Sequence, residues 1–241
     1  MPIMSLQMES SKGITCKHGY FIFNRLGNIS IMRITSIEPV NRLMKESLIK
    51  LKEGNLRFAQ GHSIHDMDSI SSQRISAVEK QKPFAVILGC SDSRVPAELV
   101  FDQGLGDLFV IRVAGNVVAP SQIGSVEFAV TMFDTPLVVV LGHSNCGAIV
   151  ATIDAMKNPS EPTSINLNSI VKRVKPAIEP LLLNSSLMQV KVADAVKANV
   201  IKSVAQLSSA SEIIESRVAN GQLNIIGACY NLKTGEVEFY D

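Results

Sequence analysis

The chain has 241 residues, 46% of them apolar and 19% charged, and a formal net charge of +1. That length and balance supply a full core for one large domain, leave no general attraction to nucleic acid or an anionic membrane, and contain no Lys/Arg run interleaved with aromatics. No stretch approaches the roughly 20 apolar residues of a membrane helix, and the chain is read as soluble.

Residues 1–36 carry Lys12, Lys17, Arg25 and Arg33 against Glu9 alone, with frequent hydroxyls. The composition loosely resembles a transit peptide but has no apolar core for secretion, so this segment is read as a disordered or poorly packed extension; organellar targeting by it stays open. Cys16 and His18 have no further ligands nearby and receive no role. From Pro39 to Lys52, Val40, Leu43, Leu48 and Leu51 keep helical spacing, Gly54 reads as a stop, and a second short helical piece follows through Phe58. The polar stretch from Gly61 to Gln81 reads as a loop, with His62 and His65 solvated.

Phe84 to Leu88 is an apolar run stopped by Gly89, the pattern of a strand buried on both faces, and it delivers Cys90-Ser91-Asp92-Ser93-Arg94. A short helix from Val95 to Phe101, a strand from Leu108 to Val113, and a helix from Gln122 to Phe133 with Ile123, Val126, Val130 and Phe133 on its sheet-facing side come next. The strand pattern then recurs as Leu137 to Leu141, Gly142, and His143-Ser144-Asn145-Cys146. Ala148 to Met156 continues as helix, four prolines punctuate shorter helices, and from Leu187 a long helical stretch carries Val196, Val200, Val204 and Leu207 on one face. Leu223 to Tyr230 reads as a buried strand and Val237 to Tyr240 as the last one. The fold expected is α/β: a mostly parallel central sheet flanked by helices, with an N-terminal helical arm.

In open α/β sheets, sites gather at the carboxyl ends of strands, so Cys90, His143 and Cys146 can converge on one ion. Two thiolates and an imidazole select zinc, and three protein ligands rather than four leave a position open for water. Any one of these residues alone would more often be a buried thiol or a satisfied polar group; their joint spacing carries the reading. The Arg94 fork can keep Asp92 ionised and off the metal, so that Asp92 accepts a hydrogen bond from the zinc-bound hydroxide and aims it. Cys229, inside an apolar strand, reads as a small core residue, and an odd cysteine subset in the site argues for a reducing, cytoplasmic compartment.

Cys-x-Asp-x-Arg followed at this distance by His-x-x-Cys resembles the β-class carbonic anhydrases, as do Phe101 to Arg112 and Ala114-Gly115-Asn116. The resemblance runs from about Val40 onward and implies a catalytic domain over residues 37–241 that hydrates carbon dioxide reversibly to bicarbonate and a proton, with one zinc per subunit and zinc-bound hydroxide as nucleophile. It also implies substrate contacts from Gln81 and Phe128, assembly as a homodimer or homotetramer, and a helical arm laid across the partner. Two departures stand out. Met132 occupies the place of a proton-carrying histidine of some plant relatives, and Ile87 that of a tryptophan in a bicarbonate pocket whose other members Arg112 and Tyr230 resemble, which favours the open site over one closed by Asp92. Hydrolysis of carbon disulfide or carbonyl sulfide on the same scaffold, or a zinc scaffold without turnover, are the competing readings; the second has no use for Asp92 and Arg94.

Overall fold

The computed structural model describes residues 15–16, 19–23, 29–32, 37–65, 73–75, 77–79, 81–159, 164–183 and 187–240, with the backbone path alone before residue 40. Three short strands, β1 (Thr15–Cys16), β2 (Gly19–Phe23) and β3 (Ile29–Met32), pair antiparallel in that order. The expectation of disorder or poor packing over residues 1–36 falls mostly outside the described residues.

The central sheet has five strands: β4 (Ala85–Gly89), β5 (Leu108–Arg112), β6 (Leu137–His143), β7 (Asn224–Tyr230) and β8 (Val237–Tyr240). Their order is β5-β4-β6-β7-β8; the first four run parallel and β8 returns antiparallel to β7. Continuous apolar runs make sense here because both faces are covered. Val86, Leu88, Val138 and Val140 enter one core with residues of α3 (Pro120–Met132), α6 (Val192–Ser208) and α7 (Glu212–Ala219). Alternating with them, Ala85, Ile87, Leu137, Val139 and Leu141 enter a second core with α1 (Ile37–Ala59) and α2 (Ala97–Val100). Each such fully buried valine, leucine or isoleucine stabilises the fold by about 1.5–3 kcal/mol before entropy is counted. A third cluster, with α4 (Gly147–Lys157) and α5 (Ile165–Ile178), encloses Cys90 and Cys146.

The chain runs from β4 out to the edge strand β5 and then back past β4 to β6, so successive connections leave in opposite directions from the carboxyl ends of β4 and β6. That divergence marks the switch point between the two strands, the place where doubly wound sheets bind ligands.

Three local expectations are corrected. Gly54 does not stop the first helix: α1 runs unbroken from Ile37 to Ala59. Gly54 is instead where α1 touches the chain after α2, since a Cβ there would fall 1.8 Å from the Phe101 carbonyl oxygen. Helix α7 is an element the periodicity did not separate; its signal is Ser211, whose hydroxyl accepts from Ile214 N at 3.4 Å while Ile214 is buried. His65 is not a solvated side chain either. Its Nδ1 lies 3.2 Å from Oδ1 of buried Asp102, which also accepts from Arg57 Nε at 2.6 Å and from the backbone N–H groups of Ile64 and His65.

Candidate metal centre

Cys90 is the first residue after β4, and His143 is the last of β6. Asn145 then takes φ +54°, a left-handed position that asparagine tolerates, and the turn sets Cys146 at the N-cap of α4. Cys146 thus stands immediately before the first helical turn, beside the positive end of the helix dipole. The ligand atoms of Cys90, His143 and Cys146 all lie within 4.8 Å of one another.

The donor set fits a tetrahedral ion on three counts. The two sulfurs are 3.9 Å apart; metal–sulfur bonds of about 2.3 Å at a tetrahedral angle require roughly 3.8 Å. His143 spends Nδ1 on the Ser144 carbonyl oxygen at 3.0 Å, which fixes the ring, while Nε2 is buried without a hydrogen-bond partner. An orphaned buried nitrogen costs free energy, and a bound cation would satisfy it. All three side chains are buried, at 5%, 0% and 1% exposure in chain order. Beside the Cys146 sulfur the Cys90 thiol is held well below its usual value, against the opposing effect of burial, and the same pairing pushes Cys146 upward. A divalent cation held by Cys90 and Cys146 would replace the proton that the two sulfurs share.

Asp92 stands outside this cluster, with Oδ2 3.8 Å from His143 Nε2. Arg94 grips it twice: Nε donates to Oδ1 at 2.9 Å and a terminal nitrogen to Oδ2 at 2.8 Å, and the Arg94 backbone N–H adds a third bond to Oδ1 at 3.0 Å. The side-chain fork is the main reason that the carboxyl is held well below the usual carboxylate range. Arg112, paired with Gly89 across the sheet, anchors the same loop from behind: its Nε donates to the Cys90 carbonyl at 3.0 Å and a terminal nitrogen to the Asp92 carbonyl at 2.5 Å. That clamp was not read from the sequence; an arginine at the carboxyl end of a neighbouring strand is its one visible signal. Tyr230 packs instead against Phe58, ring centroids 6.4 Å apart.

The other two predicted site residues are not brought to the cluster within one chain. Gln81 is exposed before β4, beside Gly106 ahead of β5, and so at the amino ends of strands whose carboxyl ends bear the site. Phe128 is 50% exposed on α3, 6.1 Å from Phe109 and 5.8 Å from Phe133 between ring centroids.

Fold and site together define a doubly wound α/β protein with a buried Cys-His-Cys cluster at its switch point. The carbonic anhydrase family model matches residues 85–237. A carbonic anhydrase of Mycolicibacterium smegmatis is 43% identical over 188 residues, covering 78% of this chain and 89% of that protein. Among solved structures, the β-carbonic anhydrase CcaA superposes with a TM-score of 0.63 at 26% identity, over 81% of this chain and 88% of that one. A chain from the crystal structures of two tetrameric β-carbonic anhydrases of Sordaria macrospora shares the fold, with a TM-score of 0.59 at 21% identity over 75% of this chain and 90% of that one. The chain belongs to the β-carbonic anhydrase family and is an enzyme of that kind, for which the family reaction is the hydration of carbon dioxide.

Proposed function

We propose that the chain catalyses zinc-dependent reversible hydration of carbon dioxide, with Cys90, His143 and Cys146 holding the metal and Asp92 and Arg94 acting beside it. The observation that carries this is the meeting of two sulfurs and an unpartnered imidazole nitrogen at tetrahedral spacing. Zinc, when bound, supplies a water acidified toward neutral pH as the attacking group.

The chain's own residues do the rest. Asp92, kept ionised, offers a carboxylate oxygen as acceptor for the nucleophile's proton and so turns a lone pair toward the substrate carbon. Arg94 ties up both Asp92 oxygens, which keeps the carboxylate from becoming a fourth ligand and leaves the corner open. Arg112 fixes the backbone on both sides of Ser91, so ligand and helper move as one piece. Gln81 and Phe128 reach substrate across a subunit boundary, because neither meets the cluster of its own chain.

The working unit is therefore a homodimer or homotetramer of the 37–241 catalytic domain, with residues 1–36 as an extension of it, in the cytoplasm; tetramers are described for the Sordaria macrospora enzymes. No helix among the described residues is long and apolar enough to cross a membrane.

Stopped-flow hydration on protein of measured zinc content tests this reading. Asp92→Ala is expected to lose roughly tenfold to a hundredfold in rate while keeping one zinc per chain. Unchanged hydration removes Asp92 from the mechanism, and a zinc-free wild-type protein removes the metal.

A further inference from the structure

Beyond the ligands and the dyad, a further donor reaches the metal cluster: the Gly115 N–H, 3.4 Å from Cys90 Sγ and buried. It is aimed by an unusual backbone. Gly115 has φ +71°, where a side chain is strained, and a Cβ there would stand 3.1 Å from Ala148 Cβ and 3.4 Å from Val174 Cγ2. The turn is therefore wedged between α4 and α5.

Its third support comes from far along the chain. Asn199, on α6 and 3% exposed, donates from Nδ2 to the Gly115 carbonyl at 2.8 Å, across 84 residues of sequence. Around it that helix buries Ala195, Val196 and Val200, so a carboxamide here has given up water in an apolar setting and recovers a hydrogen bond at this one turn.

We propose that Asn199 is a positioning residue of the metal centre: by fixing the Gly115 carbonyl it holds the Gly115 N–H on the Cys90 sulfur, and through that bond sets how much charge the sulfur gives to the metal. Hydrogen bonds to coordinating sulfur withdraw electron density from it and fix its orientation, which alters metal affinity and electronic spectrum. This rests on the metal reading above.

The test uses full-length protein loaded with cobalt(II) or cadmium-113. In the wild type, the Gly115 amide proton is expected to show scalar coupling to cadmium through the Cys90 sulfur. Asn199→Leu, similar in shape without the donor, is expected to remove that coupling, move the sulfur-to-cobalt charge-transfer band to lower energy, and speed chelator-driven metal release about tenfold or more. Leu207→Ala, on the same helix in another core cluster, serves as the control for lost stability: it lowers the melting temperature with band and release unchanged.

If Asn199→Leu behaves like Leu207→Ala, Asn199 is merely structural and the proposal falls. Should Asn199→Leu not fold, Asn199→Ala carries the same expectations, and absence of the cadmium coupling in the wild type overturns the proposal without any variant. Failure of the wild type to take up one metal per chain overturns the metal reading itself, a result separable from metal bound without the coupling.

Discussion

Asp92 and Arg94 are two residues apart, yet the pair works only because the chain turns sharply after β4 and lets the guanidinium face back on the carboxylate. The planar fork matters more than the charge. An ammonium at this place is a point charge with rotatable donors and lacks the rigid fork that fixes both oxygens. Arg94→Lys is therefore expected to lower hydration by roughly tenfold to a hundredfold with zinc still bound, because the freed carboxylate oxygen no longer keeps a fixed direction. Stopped-flow rates beside metal analysis check it, and a variant with wild-type rates shows that charge alone suffices. At the same scale Gln81 and Phe128 lie away from the cluster of their own chain, so the substrate contacts proposed for them need a second subunit, which no spacing in one chain encodes.

Among the elements, α1 and α2 are locked by Asp102, two residues beyond the end of α2. Burial alone would raise its carboxyl, but Arg57 and the N–H groups of Ile64 and His65 outweigh that and hold it below the usual carboxylate value. The unfolded chain, with an ordinary value of about 3.9, takes up the proton first as pH falls. The stability from Asp102 is thus fully present above about pH 4 and disappears as pH drops through the folded value. Asp102→Asn keeps the shape and tolerates the residue's φ of +45°. It is expected to cost about 1–3 kcal/mol near pH 6, with the deficit shrinking below about pH 4. Urea unfolding at several pH values measures both, and a deficit independent of pH shows that the carboxylate charge is not what holds the helices.

For the whole molecule, the informative surface is on α1. Leu51 is fully buried against the sheet, while on the opposite side Ile49 and Leu56, seven residues apart and so on one face, are 52% and 56% exposed. Strand β5, with Phe109 and Val110, is an uncovered sheet edge in the single chain. An apolar helix face and an open edge both favour association. Ile49→Glu combined with Leu56→Glu is expected to shift the protein to smaller species in sedimentation velocity. Activity should fall with assembly if the pocket is completed across subunits, whereas an unchanged oligomer assigns that face to solvent.

The sequence by itself determined the alternation of strands and helices, the two apolar runs ending in Gly, and the residues chemically able to hold a soft divalent ion. Those are local properties: side-chain periodicity, turn chemistry and donor type act within a few residues. Tertiary structure alone decided that β6 lies beside β4, which brings Cys90 within 3.9 Å of Cys146. It also decided that Gly54 is a contact rather than a stop, that Arg112 grips the Cys90 loop, and that Asn199 braces the turn behind it. Each of these joins segments distant in the chain, and their meeting is fixed by how the sheet and helices bury their apolar faces together, a global balance that no short stretch encodes.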